Sequence, residues 1–131
     1  KLIALYPNKQ PLIIIDSLQT IDDGMYADGH RNTNTPLRAM ELLTNFVKQT
    51  YAIVIVIGQV NKSGEFAGKQ AVKHIVDAHM HIKIDTKDKS ETKGMRIFEM
   101  LKNRFGCAGH AFILNLEETG LKEWGEINSE N

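Results

Sequence analysis

Several things are scarce in this sequence, and each scarcity excludes something. The 131 residues hold one cysteine, Cys107, so there is no intrachain disulfide framework. That fits a reducing, cytoplasmic setting. An excess of charge of one sign is also missing, because 16 basic residues balance 16 acidic ones. Non-specific nucleic-acid binding rests mainly on neutralising phosphates. A strongly basic nucleic-acid binder is therefore excluded, and any such role needs cations gathered on one face. Long apolar runs are absent too. The longest, 52–58, is too short to span a membrane, and its β-branched content makes it a buried strand. No signal-peptide pattern, internal repeat or low-complexity segment occurs. The first residue is Lys1, so the chain is expected to be processed or to be a piece of something longer. What is left, 42% apolar and 24% charged residues, is ordinary for a globular protein. The length suffices for one domain with a core, 1–131.

The chain then resolves into alternating elements. Leu2 to Tyr6 is the end of a helix stopped at Pro7. Leu12-Ile13-Ile14-Ile15 is an unbroken apolar run ending in Asp16-Ser17, as expected of a parallel strand buried on both faces. Residues 22–35 form a long polar loop, of the kind that carries function. Thr35-Pro36 opens a helix, with Thr35 as its cap and Pro36 at its first position. Leu37, Met40, Leu43, Phe46 and Val47 repeat along it at helical spacing. The run 52–57 is a second buried strand, so strand, helix and strand make a right-handed βαβ unit. A second polar loop covers 61–68, and a short helix covers 69–77. Residues 79–85 alternate, with Met80, Ile82 and Ile84 on one face. Two more strands, 94–102 and 111–116, precede a turn at 117–120. A polar tail is expected to fray from 125 to 131. The fold class is α/β, with two buried strands first and a hairpin-like pair at the end.

Three stretches carry chemistry. Asp16 ends an apolar strand, which puts a carboxylate at the carboxyl edge of a parallel sheet, where open α/β folds bind ligands. In a phosphate-transfer site such an Asp orients Mg²⁺, usually through water. As a plain structural residue it caps a turn. Gln59 follows the strand-ending Gly58; it is either a γ-phosphate sensor or a solvated strand end. Lys102-Asn103-Arg104-Phe105-Gly106 places two cations around an Asn before an aromatic and a Gly turn. It suits phosphate contacts, or else it is a basic turn. His79 and His81 share a strand face near Asp77, the arrangement of a weak metal-site candidate. Cys107 has no base near it in sequence, and Trp124 reads as a packing residue.

Taken in order, these pieces resemble the RadA/Sms family of RecA-like ATPases. Residues 102–106 match its Lys-Asn-Arg-Phe-Gly motif letter for letter. Ile15-Asp16-Ser17-Leu18-Gln19-Thr20 resembles its Walker B strand. The stretch from Ala67-Gly68 through His74, Val76 and Asp77 resembles its Ala-Gly…Glu-His-x-Val-Asp segment. The resemblance covers about Leu12 to Leu121. It implies a partial RecA-like (P-loop NTPase) core, with a mostly parallel sheet flanked by helices and a C-terminal β-hairpin-like pair. It implies ATP and Mg²⁺ as cofactors, single-stranded DNA as a partner, and a homo-oligomeric ring, a hexamer in the family. By the same resemblance Asp16 is the Walker B carboxylate and metal residue, Ser17 supports it, and Gln59 is the sensor. Lys102 and Arg104 reach a neighbouring subunit's nucleotide. Arg31 in the first loop, and Lys62 and Lys69 in the second, face DNA.

Two departures stand out. The family has His where this chain has Gln59, although RecA and replicative helicases use Gln in the analogous role. No Gly-x-x-x-x-Gly-Lys-Ser/Thr phosphate loop occurs in the sequence. In the family that loop, and the strand leading to it, precede the Walker B strand. That strand lies between those matching 52–58 and 79–85, so an open, apolar edge on 52–58 is expected here.

Overall fold

The computed structural model of the chain describes residues 2–5, 7–61 and 71–127. They fall into two compact units, Lys1–Ile75 and Val76–Asn131.

In the first unit a one-turn helix, α1 (Leu2–Leu5), precedes strand β1 (Leu12–Asp16). Strand β2 (Ile53–Ile57) pairs parallel to β1, with Leu12 opposite Ile53 and Asp16 opposite Ile57. Between them runs helix α2 (Thr35–Thr50), which packs on β2 and on the short helix α3 (Ala71–Ile75). Pro36 stands in the first turn of α2, where a missing N–H is harmless. The cap residue is Asn34 rather than Thr35. Buried Thr35 turns its hydroxyl backwards and accepts from the Asn32 N–H at 3.0 Å and from Arg38 at 3.2 Å. The helix ends on Tyr51 in the left-handed region (φ 54°), whose N–H bonds the Val47 carbonyl.

The expectation that β1 and β2 are buried on both faces does not hold. Ile13, Ile15, Val54 and Val56 are half-buried, whereas Leu12, Ile14, Ile53, Ile55 and Ile57 are exposed. An unbroken apolar run tells that a strand suits a dry environment on both sides. It cannot tell whether the chain itself supplies both covers. The buried apolar residues of this unit are Leu18, Ala39, Met40, Ala52 and Val72.

The second unit is a four-stranded antiparallel meander of β3 (Ala78–Ile84), β4 (Arg96–Asn103), β5 (Ala111–Glu117) and β6 (Gly120–Ile127). A mostly parallel sheet is thus corrected to a parallel pair and an antiparallel sheet of four. Neighbouring strands here are joined by turns short enough to reverse the chain, which favours antiparallel pairing. The expected frayed tail is in part strand, because β6 continues to Ile127, opposite Ala111. Gly120 (φ 118°) makes the turn that lets β6 fold back on β5. Met80, Ile82, Phe98 and Phe112 lie on one face by register, and Ile113, on the other, is buried.

Candidate functional site

Asp16 and Gln59 stand at the same edge of the parallel pair. Asp16 is the last residue of β1, and Gln59 lies two residues past the end of β2. Both are exposed, and the Asp16 carboxylate carries no ion pair among the described residues. An exposed carboxylate with no ion pair among the described residues suits a metal held through water. Ser17 is buried and its peptide bond to Asp16 is cis. It opens the 3₁₀ turn Leu18–Thr20, where the Thr20 hydroxyl donates to the Ser17 carbonyl at 2.9 Å and accepts from the Ser17 N–H at 3.4 Å. The turn carries Gln19, which the sequence showed only as part of the Walker B-like stretch, with no role of its own. Its Nε2 donates to the Gln59 carbonyl at 3.2 Å.

The loop leaving this edge is organised by its own side chains. Asp22, Asp23 and Asp28 each accept a backbone N–H two residues on, the Asx-turn habit of aspartate. Arg31, assigned by resemblance to DNA, is exposed and donates to the Thr20 carbonyl at 2.9 Å. Arg38 pairs with Asp23, and Asn32 donates to the Tyr26 hydroxyl at 3.1 Å. Arg38 was not singled out in the sequence. Lys62 and Lys69 lie outside the described residues.

In the second unit the 102–106 motif ends β4 with Lys102 and Asn103 and turns at 104–106. The Asn103 Oδ1 accepts the Phe105 N–H at 3.2 Å, and its Nδ2 donates to the Cys107 carbonyl at 3.4 Å. A Cβ on Gly106 would stand 2.9 Å from that Nδ2, so glycine is what lets the amide close the turn. Lys102 Nζ donates to the Val76 carbonyl at 2.8 Å. Arg104 pairs with Asp77 at 2.8 Å and stays largely exposed, while its N–H bonds the Asp77 carbonyl. The motif is therefore stapled to the start of β3, which neither the sequence pattern nor the resemblance foretold. Phe105 at the tip is 82% exposed.

On the same sheet His81 and Lys83 both reach Glu99, at 3.4 and 2.5 Å. Burial raises the Glu99 pKa, but the Lys83 hydrogen bond and charge together with His81 outweigh it, so the carboxyl titrates below its ordinary value. Among the described residues no group of three His, Cys, Asp or Glu converges on a metal-sized site, and none of the helices is long and apolar enough to cross a membrane.

The chain is thus a mixed α/β protein with an acidic strand end on a parallel edge and a stapled basic turn on an antiparallel sheet. No family model matches it. Its relatives include the DNA repair protein RadA of Brucella abortus (strain 2308), 35% identical over 121 residues, which is 88% of this chain and 24% of that protein. RadA of Mycobacterium tuberculosis (strain ATCC 25618 / H37Rv) is 32% identical over 84% of the chain and 22% of its own length. RadA of Aquifex aeolicus (strain VF5) is 27% identical over 92% of the chain and 26% of its own length. By sequence the chain belongs, over this stretch, to the RadA family. It spans about a quarter of the length of the curated relatives it matches.

Proposed function

We propose that the chain supplies part of the ATP-hydrolysing centre of a RadA-type, DNA-dependent ATPase acting in recombinational DNA repair, built on a RecA-like core. The observation that carries this reading is the shared edge of Asp16 and Gln59, at the carboxyl ends of two parallel strands, the place where open α/β sheets meet their ligands. Asp16 holds Mg²⁺ through water, Ser17 shapes the turn beneath it, and Gln59 faces the terminal phosphate of ATP. Lys102 and Arg104 act on the nucleotide of a neighbouring copy in a homo-oligomeric ring, a hexamer. Arg31, Lys62 and Lys69 contact the backbone of single-stranded DNA by charge, with little sequence preference.

No phosphate-binding loop is present in these 131 residues, so the phosphates must be held by residues outside them. A non-catalytic role, as a module that binds DNA or assembles with a complete ATPase, is the second reading that this absence favours. A chimera separates the two. The chain replaces the matching quarter of a RadA relative, and DNA-stimulated ATP hydrolysis is measured with and without Asp16→Ala. Turnover that is lost in the variant supports the first reading. Turnover by the chimera that is indifferent to Asp16 overturns it. The 131-residue chain by itself is expected to show none.

A further inference from the structure

We infer that Gln19 is a positioning residue that ties Gln59 to the Asp16 turn. The inference rests on the reading of Asp16 and Gln59 as parts of one centre, and adds the element that couples them.

β1 and β2 are in register only as far as Asp16 and Ile57. Beyond that pair the ladder ends, and Gly58 and Gln59 have left the strand. Nothing in the backbone pairing fixes the distance between Gln59 and Asp16. Gln19 bridges that gap. It stands three residues past Asp16 on the 3₁₀ turn, whose shape is held by the Ser17–Thr20 bonds. Its Nε2 reaches the Gln59 carbonyl at 3.2 Å, a link across 40 positions of sequence.

The rest of the Gln19 amide sharpens the argument. Its Oε1 is buried and has no partner among the described residues. A buried, unsatisfied acceptor is unfavourable, so packing alone would not hold this amide where it is. The orientation is also decided: a flipped amide would set oxygen against the Gln59 carbonyl oxygen. Gln19 is therefore held by its donor end. It binds Gln59 through the main chain, which leaves the Gln59 side chain free to work. A displacement of Gln59 is passed to the turn that carries Asp16 and Ser17, and the reverse.

The test uses the 131-residue chain without nucleotide, so that failure of the tether and failure of the nucleotide reading are separate results. The Gln59 carbonyl ¹³C resonance reports the bond it accepts, and ¹⁵N relaxation reports the order of 58–61. Gln19→Glu keeps size and loses the donor. Gln19→Lys restores a donor of similar reach. With Glu the Gln59 carbonyl resonance should move upfield and the order of 58–61 should fall, while the amide resonances of β1 and β2 stay in place. With Lys both should return toward wild type. An unmoved Gln59 carbonyl in Gln19→Glu overturns the inference. So does a change spread evenly over β1 and β2, or a Lys variant that behaves like Glu.

Discussion

Arg38 and Asp23 lock the long polar loop onto the helix that follows it. Arg38 Nε donates to Asp23 Oδ2 at 2.5 Å, and the Asp23 side chain is only 1% exposed. The same guanidinium reaches the Thr35 hydroxyl at 3.2 Å, so loop and helix start share one cation. The Arg38–Asp23 hydrogen bond is the main reason the Asp23 carboxyl titrates below its ordinary value of 3.8. Asp23→Asn removes the charge and keeps the shape. Limited proteolysis should then cut within 24–31 several times faster, with the helical circular dichroism unchanged. Equal cleavage rates would show that the loop is held by its Asx turns alone.

The second carboxylate with a structural task is Asp85, in the β3–β4 turn. It accepts from the Thr92 hydroxyl at 2.6 Å and from the Lys87 N–H at 3.1 Å. These bonds, with Ser90, hold its pKa down to about 2 from an ordinary 3.8. The folded value is the lower one, so the unfolded chain binds the proton more readily. The stabilisation is complete above the unfolded pKa and is lost as pH falls through the folded one. An NMR titration of the Asp85 carboxyl should show a midpoint near 2, and Thr92→Val should raise it. A midpoint near 3.8 in the unmutated chain would refute the turn network.

Much of the outline was legible because it depends on local rules. The Leu12–Asp16 and Ile53–Ile57 runs are strands because β-branched residues suit a pleated surface, and Pro36 marks the start of α2 from sequence alone. The parallel sense of β1 and β2 followed from the βαβ order, but the division of the strands into two sheets was not legible. Whether β2 and β3 share a sheet depends on contacts between distant residues, which no local pattern encodes. The polar residues from Glu126 onward made 125–131 read as a frayed tail, although Gly125, Glu126 and Ile127 continue the solvated edge strand β6. The site divides in the same way. Asp16 was visible as an acid at a strand end. Asp77 as the partner of Arg104 was not, because it stands 27 positions away and the bond follows from β3–β4 register.

That bond gives a prediction for the basic turn. Arg104 and Asp77 are both about half exposed, so the pair contributes little to stability, at most ~1 kcal/mol. Arg104→Ala should therefore leave the melting temperature of the chain almost unchanged. In the RadA chimera the same substitution, or Lys102→Ala, should lower ATP turnover by about 10³-fold, because a cation acting on a neighbour's nucleotide stabilises transition-state charge. Unchanged turnover in both variants would reduce the motif to a structural turn.

The last prediction concerns the bare side of the parallel pair. Among the described residues β2 pairs with β1 alone, and its outward face presents Ile53, Ile55 and Ile57 beside Leu12 and Ile14. These five are 41% to 60% exposed. They carry no charge, and none of the usual guards against strand pairing, a lysine, a proline or a bulge, interrupts β2. Covering the exposed half of one such side chain contributes about 1 kcal/mol. The chain in isolation should therefore associate with itself as concentration rises, by sedimentation or light scattering. Ile55→Lys puts a charge at the centre of the face and touches nothing on the side packed against α2. It should weaken association by about 10-fold or more while the fold survives by circular dichroism. Ile14→Lys separates the two ways of associating. If copies meet face to face it should act as strongly as Ile55→Lys, because Ile14 and Ile55 are opposite one another in register. If they meet edge to edge along β2 it should act less, because β1 lies behind the edge. A chain that stays monomeric at every concentration would mean that the bare face is covered from within the 131 residues, and the open-edge expectation would fall with it.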